Sequence, residues 1–222
     1  MRIRRALVLA AGRGERMRPL TESVPKPLLC VGGKPLIVWH LERLAAAGIR
    51  EIAINTSWLA DALHDSLGDG SRHGVAIRWF DEGPAPLETA GGIVNALGAF
   101  ADEPFAVVNG DVWTDLPLPP TAPAPGRLAH LVLVPNPPHH VRGDFGLECG
   151  ELRLEGAVRH TFAGIASYDP ALFAGLAPGC RALKPVLDRA AAAGRVTASV
   201  YTGRWTDVGT PARLAELDAA LA

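Results

Sequence analysis

The sequence predicts an α/β fold of three layers, in which helices cover both faces of a mixed, mostly parallel β-sheet. Short apolar runs alternate with amphipathic segments through the first half of the chain, as in consecutive βα units. Two of these runs, Ala6–Ala10 and Phe105–Val108, are continuously apolar, which is typical of strands buried on both faces. Hydrophobic residues make up 48% and charged residues 20% of the 222 positions, which indicates a folded globular chain.

The first half is predicted to contain four strands and three helices in strict alternation. The helix that begins at Leu36 ends before Gly48, because glycine is the residue preferred just beyond a helix. In chain order the predicted elements are strand Ala6–Ala10, helix Leu36–Ala47, strand Glu51–Asn55, helix Ala60–Leu67, strand Val75–Phe80, helix Gly91–Leu97 and strand Phe105–Asn109.

A proline-rich stretch opens the second half, with five prolines between positions 117 and 125. Proline excludes a regular helix there, so we interpret the stretch as a long surface loop within one domain that spans residues 1–222. In the closing helix Thr210 is the predicted N-cap and Pro211 the first helical residue. The elements between loop and closing helix are strand Leu128–Val134, strand Phe162–Tyr168, helix Leu183–Ala193 and strand Val196–Tyr201.

Charge and cysteine content exclude several functional classes. The formal net charge is -1, so no overall positive field attracts nucleic acid or an anionic membrane surface. The three cysteines are odd in number and far apart, which favours a reducing cytoplasm over a disulfide framework. The apolar run near the N-terminus is interrupted by glycine and charge before it reaches the length of a signal peptide core. We therefore expect a cytoplasmic monomer.

A glycine-rich turn directly follows the first predicted strand. Gly12 and Gly14 would let backbone N–H groups approach phosphate oxygens, and Arg13, Arg16 and Arg18 would supply charge at the sheet edge where ligands bind. A structural turn alone would also explain the glycines. The dinucleotide fingerprint fails because Met17 stands at its third glycine, and a Walker loop fails because proline follows Gly33-Lys34.

The turn is part of a longer ordered motif. It reads LAAGRGERMRPLT over residues 9–21 and is followed by PKPL over residues 25–28. This combination resembles the signature of the sugar-1-phosphate nucleotidylyltransferases. Later segments, among them PLETAGG over residues 86–92 and GDF over residues 143–145, resemble the branch that transfers a uridylyl group to an amino-sugar phosphate of peptidoglycan recycling.

The resemblance implies a Rossmann-like nucleotidyltransferase fold and a reaction of UTP with a sugar 1-phosphate that gives a UDP-sugar and pyrophosphate. Arg16 and Lys26 are the implied catalytic residues, although a lysine on a loop is more often simply solvated. The implied nucleotide contacts are Ala11, Gly12, Gly14, Glu15, Arg16 and Lys26, and in the base loop Glu82, Glu88, Thr89 and Gly91. The implied sugar contacts are Asn109, Gly143, Asp144, Phe162 and Gly164.

Two aspartates are candidate magnesium ligands. Asp111 follows a buried strand, and magnesium prefers one or two carboxylates together with phosphate oxygens and water. Asp207 precedes the closing helix, and the resemblance pairs it with Asp111 as the second ligand. Each carboxylate could instead order a turn. His139 and His140 are adjacent, which does not match a zinc pair on a helix.

Two other functions are compatible with the same motifs. A related transferase could use CTP or GTP with phosphocholine or a hexose 1-phosphate, because few contacts decide the choice of base. A catalytically inactive nucleotide-sugar sensor would retain the fold, but the presence of Lys26, Asp111 and Asp207 argues against it.

Overall fold

A computed structural model describes residues 2–222, and a nine-stranded sheet forms its centre. The strands are β1 Arg5–Leu9, β2 Cys30–Val31, β3 Lys34–Pro35, β4 Glu51–Thr56, β5 Ala76–Asp81, β6 Phe105–Asn109, β7 Val112–Thr114, β8 Ala129–Val134, β9 Phe145–Glu148, β10 Glu151–Arg153, β11 Arg159–Tyr168, β12 Val196–Val200 and β13 Trp205–Asp207. The helices are α1 Leu36–Ala46, α2 Ala60–Leu67, α3 Glu88–Ala96, α4 Lys184–Ala192 and α5 Pro211–Leu221.

The first half of the chain forms the parallel part of the sheet. Strands β5, β4, β1 and β6 lie side by side in that order, all parallel. Leu9 at the end of β1 pairs with Asn55 on one side and with Asn109 on the other. The loops that follow these strands therefore meet at one edge, where open α/β sheets bind ligands.

The second half extends the same sheet, mainly with antiparallel strands. Strand β11 pairs antiparallel with β6 and with β8, and β12 returns parallel to β8. The hairpin β9–β10 closes the far end beside β12. The prediction that the strand after the proline-rich loop joins the same sheet is confirmed, and so is the mixed character of the sheet.

Helices cover both faces, as predicted. The side chains of β1 alternate between the faces, since Ala6 and Val8 belong to one core cluster and Leu7 to the other. Helices α1 and α2 pack on the first face, whereas α3 and α4 pack on the second. The central strand is thus buried on both sides, which explains its uninterrupted apolar sequence.

The closing helix α5 covers a third, smaller cluster that includes Met17, Leu36 and Trp113. Its predicted start is confirmed: Thr210 caps it by accepting a hydrogen bond from the Arg213 N–H, and Pro211 is the first helical residue. Just before it, β13 pairs antiparallel with β7, so that Asp207 lies opposite Val112. This two-stranded ladder brings the end of the chain to the strand edge that carries Asp111.

Candidate active site

A cleft of about 420 Å³ opens at the carboxyl ends of the parallel strands. The turn after β1, the loop after β6 and the start of α3 all contribute to its walls. Its lining residues are Leu9, Ala10, Ala11, Gly12, Gly14, Glu15, Arg16, Met17, Lys26, Pro27, Asn55, Glu82, Pro86, Glu88, Thr89, Asn109, Asp111 and Gly209. The cleft therefore collects both predicted catalytic residues and most of the predicted nucleotide contacts.

The glycine-rich turn packs closely against Lys26. Gly14 adopts a left-handed backbone with φ of 63°, and a Cβ there would come within 2.9 Å of the Thr21 side chain and 3.3 Å of the Lys26 Cβ. The Thr21 hydroxyl donates a hydrogen bond of 2.8 Å to the Gly14 carbonyl. Gly12, by contrast, faces open space, so its backbone remains accessible to a ligand in the cleft.

Lys26 is buried, with 8% of its surface exposed, so it is not a solvated loop lysine. Its Nζ donates a 2.5 Å hydrogen bond to Oδ2 of Asp111, whose side chain is 38% exposed. The loop that carries Asp111 packs tightly on the first strand, because a Cβ on Gly110 would meet the Leu9 carbonyl at 2.7 Å. A cation and a carboxylate thus sit together on the wall of the cleft.

Asp207 lies near Asp111 but has its own cationic partner. Both Asp207 oxygens lie 2.6 Å from Arg213, and Nε2 of His139 is 2.9 Å from Oδ1. The backbone N–H of Val208 donates to the Asp111 carbonyl at 2.8 Å, which ties the two loops together. Asp111 and Asp207 line one shared cavity of about 340 Å³.

Arg213 was not foreseen from the sequence, although it lies in the first turn of the predicted closing helix. Its guanidinium packs against Gly209, and a Cβ on Gly209 would collide with it and reach within 3.2 Å of the Arg16 guanidinium. Two arginines therefore approach each other across a glycine beside the candidate metal carboxylates. Gly209, which separates the two guanidinium groups, was the sequence feature that could have pointed to Arg213.

His40 supports the strand that follows Asp111. It projects from α1 into the core, and its Nε2 lies 2.8 Å from the Val112 carbonyl, so the ring donates there as a neutral imidazole. Burial lowers the pKa of His40 to about 4, although the Val112 hydrogen bond partly opposes the shift. This buried histidine is a second residue that sequence reasoning missed, since nothing in its helical pattern distinguishes it.

A hydrogen-bonded chain joins the glycine-rich turn to the predicted base loop. Oδ1 of buried Asn55 accepts from the Ala10 N–H at 2.7 Å, and its Nδ2 donates to Oε1 of Glu82 at 2.5 Å. The other Glu82 oxygen accepts from the Leu87 N–H at 2.6 Å. Glu82 lines the cleft as predicted. Both of its carboxylate oxygens already accept hydrogen bonds from the protein, so Glu82 fixes the conformation of the base loop.

The remaining predicted base-loop residues fall into two groups. Glu88, with a left-handed φ of 58°, and Thr89 line the cleft at the start of α3. Gly91 is buried one turn later, where its N–H donates to the Arg181 carbonyl and its Cα faces the Gly179 backbone. Gly91 therefore allows close packing against the Gly179 backbone, and it does not line the cleft.

The predicted sugar contacts surround two cavities that adjoin the cleft. Asn109 lines the cleft and both neighbouring cavities, one of about 480 Å³ and the other the cavity of Asp111 and Asp207. Phe162 lines both neighbouring cavities. Asp144 lines the cavity of about 480 Å³, and Gly164 lines the cavity that Asp111 and Asp207 share. Gly143 is buried against Asn136 and does not line these cavities.

Comparison with known proteins identifies the family. The nucleotidyl transferase family model matches residues 5–141, which include the glycine-rich turn, Lys26 and Asp111. The chain belongs to the nucleotidyl transferase family. Residues 142–222, with Asp144, Phe162 and Asp207, lie beyond the matched segment but continue the same sheet.

Relatives within the nucleotidyl transferase family extend the match to nearly the whole chain. The chain is 48% identical over 224 aligned positions to the N-acetylmuramate alpha-1-phosphate uridylyltransferase of Neisseria meningitidis, and the match covers 97% of each sequence. It is 34% identical to the protein of the same name from Caulobacter vibrioides, over 95% of this chain and 97% of that one. The predicted fold class and family are thereby confirmed.

A solved structure shows the same fold at low identity. The structure of a candidate glucose-1-phosphate thymidylyltransferase from Bacillus anthracis superimposes with a TM-score of 0.83 at 22% identity, over 98% of this chain and 94% of that one. Both parts of this nucleotidyl transferase, the matched segment and the rest, therefore belong to one known architecture. Among residues 2–222, no helix is long and apolar enough to cross a membrane.

Proposed function

We propose that this nucleotidyl transferase transfers a uridylyl group from UTP to N-acetylmuramic acid 1-phosphate, with release of pyrophosphate. The observation that carries the proposal is the 48% identity, over 97% of both chains, to an N-acetylmuramate alpha-1-phosphate uridylyltransferase. The cleft supports it independently, because it brings Arg16, Lys26 and Asp111 together beside an open glycine-rich turn.

The reaction needs charge compensation more than proton transfer. A phosphate oxygen of the sugar 1-phosphate attacks the α-phosphorus of UTP, and the bond from that phosphorus to the β-phosphate oxygen breaks. The attacking oxygen is already anionic, so no general base is needed. Positioning and neutralisation of the two polyanions carry the catalysis. Lys26 and Arg16, which both line the cleft, are the cations we assign to the triphosphate.

Asp111 and Asp207 fit a magnesium ion. They line one cavity, and two carboxylates leave the remaining positions for phosphate oxygens and water, the set that magnesium prefers. Among residues 2–222, no group of three or more histidine, cysteine, aspartate or glutamate side chains could hold a metal by itself, so phosphate oxygens would complete the site. When bound, magnesium would neutralise charge that develops on the phosphates.

We assign the other cavities by their position relative to these groups. Ala11, Gly12, Gly14, Glu15, Glu88 and Thr89 would contact the nucleotide along the cleft. Asn109, Asp144, Phe162 and Gly164 would contact the sugar phosphate, because their cavities open from the same point as the cleft. Glu82 would act through the loop it holds, and Gly91 and Gly143 through packing.

We further propose that residues 1–222 work as one domain and as a cytoplasmic monomer in peptidoglycan recycling. The continuous nine-stranded sheet supports a single domain. Cys30, Cys149 and Cys180 are exposed free thiols, which suits a reducing compartment. Light scattering of the purified chain tests the monomer.

Pyrophosphate release tests the reaction directly. The purified chain is supplied with each of UTP, CTP, GTP and dTTP against N-acetylmuramic acid 1-phosphate, N-acetylglucosamine 1-phosphate, glucose 1-phosphate, mannose 1-phosphate and phosphocholine. We expect the highest kcat/KM for UTP with N-acetylmuramic acid 1-phosphate. A higher value for CTP or GTP with another acceptor would replace the proposed substrates, and no release in any well would indicate an inactive nucleotide-sugar binder.

A further inference from the structure

The larger cavity beside the cleft carries one cation. It encloses about 480 Å³ and shares Glu88, Thr89 and Asn109 with the nucleotide cleft. Most of its other walls are apolar, formed by Phe145, Phe162, Ala182, Leu183 and Leu187. Within the described chain, residues 2–222, Lys184 is the one basic residue that lines this cavity. A ligand that continues from the cleft into the cavity would meet this ammonium group.

The Lys184 ammonium lies over the ring of Phe145, which lines the same cavity. Its Nζ lies 5.1 Å from the centre of the Phe145 ring and 2.7 and 2.9 Å from the two oxygens of Asp188. The side chain is nevertheless 59% exposed, so part of the ammonium remains open to a ligand. An ammonium has three N–H donors, more than Asp188 requires.

Helix stability does not account for this lysine. Lys184 is the first residue of α4, and the positive end of the helix dipole disfavours a cation there. Its ion pair with Asp188 also runs from lysine to acid at i,i+4, the less favourable order. Lysine is scarce in this arginine-rich chain, and the other two lysines pair with Asp111 and Glu42.

We propose that Lys184 recognises the carboxylate of a lactyl ether on the sugar and thereby selects N-acetylmuramic acid 1-phosphate. The inference rests on the proposed function. N-acetylmuramic acid differs from N-acetylglucosamine by this single acidic ether on O3, so discrimination requires a group that binds a carboxylate. The nearby Asp144 does not compete for the ammonium, because its oxygens already face the Phe162 N–H at 2.8 Å and the His140 ring at 3.1 Å.

Lys184→Met tests the inference, with Lys34→Met as the matched control. Both changes remove a lysine that lies over an aromatic ring and pairs with a carboxylate, but Lys34 lies outside the three cavities. We expect Lys184→Met to raise the KM for N-acetylmuramic acid 1-phosphate about tenfold, the effect of one charged hydrogen bond. The KM values for UTP and for N-acetylglucosamine 1-phosphate should stay the same, and Lys184→Arg should restore most of the loss.

Asp188→Asn separates recognition from a merely structural ion pair. This change and Lys184→Met break the same pair, so a structural role predicts the same direction of effect from both. Recognition predicts opposite directions, because loss of Asp188 frees the ammonium and removes a competing carboxylate. We expect Asp188→Asn to lower the KM for N-acetylmuramic acid 1-phosphate about two- to threefold, in line with the weak coupling of an exposed pair.

The wild-type and variant measurements distinguish the two possible failures. If the wild-type chain does not consume N-acetylmuramic acid 1-phosphate with UTP, the proposed function is overturned and the inference with it. If the wild-type chain consumes it but Lys184→Met leaves its KM unchanged, or raises the KM for both amino-sugar phosphates equally, only the inference is overturned. Equal effects of Lys184→Met and Asp188→Asn would likewise assign the pair to structure.

Discussion

Nζ of Lys26 lies 2.5 Å from Oδ2 of Asp111 on the wall of the cleft. Two groups with different proposed tasks, phosphate binding and metal binding, therefore neutralise each other in the structure. The lysine side chain is 10% exposed and the aspartate side chain 38%. If Asp111 were removed, little water could reach the Lys26 ammonium, whereas water could reach the Asp111 carboxylate if Lys26 were removed. This asymmetry decides how the two members of the pair should respond to substitution.

Lys26→Ala should impair turnover far more than folding. Removal of the lysine leaves a carboxylate that water can still reach, so the melting temperature should change little. Loss of one charge-stabilising donor in an active site commonly reduces kcat by about 10²–10³-fold. Arg16 also lines the cleft, so Arg16→Ala should act in the same way. Pyrophosphate release and thermal unfolding of both variants measure this, with Lys34→Ala as the control for loss of a surface lysine. Wild-type activity in both variants would remove the assignment.

Asp111→Asn and Asp207→Asn should each raise the magnesium concentration needed for half-maximal turnover. If the two carboxylates share one ion, each single change should abolish most activity, and the double change should cost little more than the worse single one. Turnover is measured against magnesium concentration for all three variants. Asp218→Asn is the matched control, since Asp218 accepts a hydrogen bond from the Gly32 N–H near the end of α5 and does not line the three cavities.

The Arg213 contact makes the Asp207 result informative either way. Both oxygens of Asp207 already face this guanidinium, so the carboxylate could serve only to hold the start of α5. In that case Asp207→Asn would lower the melting temperature and leave the magnesium curve where it is. The second metal ligand would then have to lie elsewhere.

His40 should make the protein sensitive to mild acid. The pKa of His40 in the folded protein is about 4, below the ordinary value of 6.5. Between these pH values the histidine is therefore protonated in the unfolded chain and neutral in the folded one. Stability is therefore unaffected above pH 6.5, falls as the pH drops, and levels off below pH 4, with a total loss of about 3 kcal/mol.

His40→Gln removes this titration and retains an N–H donor for the Val112 carbonyl. Urea unfolding at pH 7 and pH 5 measures the free energy of unfolding of both proteins. We expect the wild-type chain to lose about 2 kcal/mol more than the variant between these pH values. Equal losses would show that His40 takes up its proton in the folded state at ordinary pH.

The predictable part of the fold was the part in which the sequence repeats a simple pattern. Helix Ala60–Leu67 and strand Phe105–Asn109 were predicted with their observed bounds, because apolar spacing and flanking turn residues mark both ends. The short ladders β2–β3, β7–β13 and β9–β10 were missed. Their strands have two to four residues, too few to show a period, and their pairing partners are set by tertiary packing.

The same reason limits what could be predicted of the site. Lys26 and Asp111 were singled out by a linear motif and by a strand end, and the structure brings them together. His40 and Asn55 carry no local signal, because each matters through a contact that is distant in sequence. His40 binds the carbonyl of Val112, 72 residues away, and Asn55 binds the N–H of Ala10, 45 residues away. Arg213 contacts His139, 74 residues away, as well as the nearby Asp207. Distant contacts of this kind cannot be derived from spacing.

The network around Asn55 makes Gly92, within helix α3, sensitive to an added side chain. A Cβ at position 92 would collide with the Glu82 carboxylate and come within 2.6 Å of the Asn55 amide. Glu82 holds the Leu87 N–H and Asn55 holds the Ala10 N–H, so displacement of these side chains would shift both the base loop and the turn after β1. Gly92→Ala should therefore affect nucleotide binding although it does not line the cleft.

Gly98→Ala provides the matched control, because a Cβ there meets nothing within 4 Å and alanine suits the helical segment. We expect Gly92→Ala to raise the KM for UTP about tenfold or more and to cost about 1–3 kcal/mol of stability, the usual penalty for overpacking. Gly98→Ala should leave both unchanged within about 0.5 kcal/mol. If Gly92→Ala lowers stability while the KM for UTP stays the same, the Asn55–Glu82 chain supports the fold without positioning the nucleotide. A raised KM for UTP with an unchanged KM for the sugar phosphate would place the network on the nucleotide side of the site, where its two backbone partners lie.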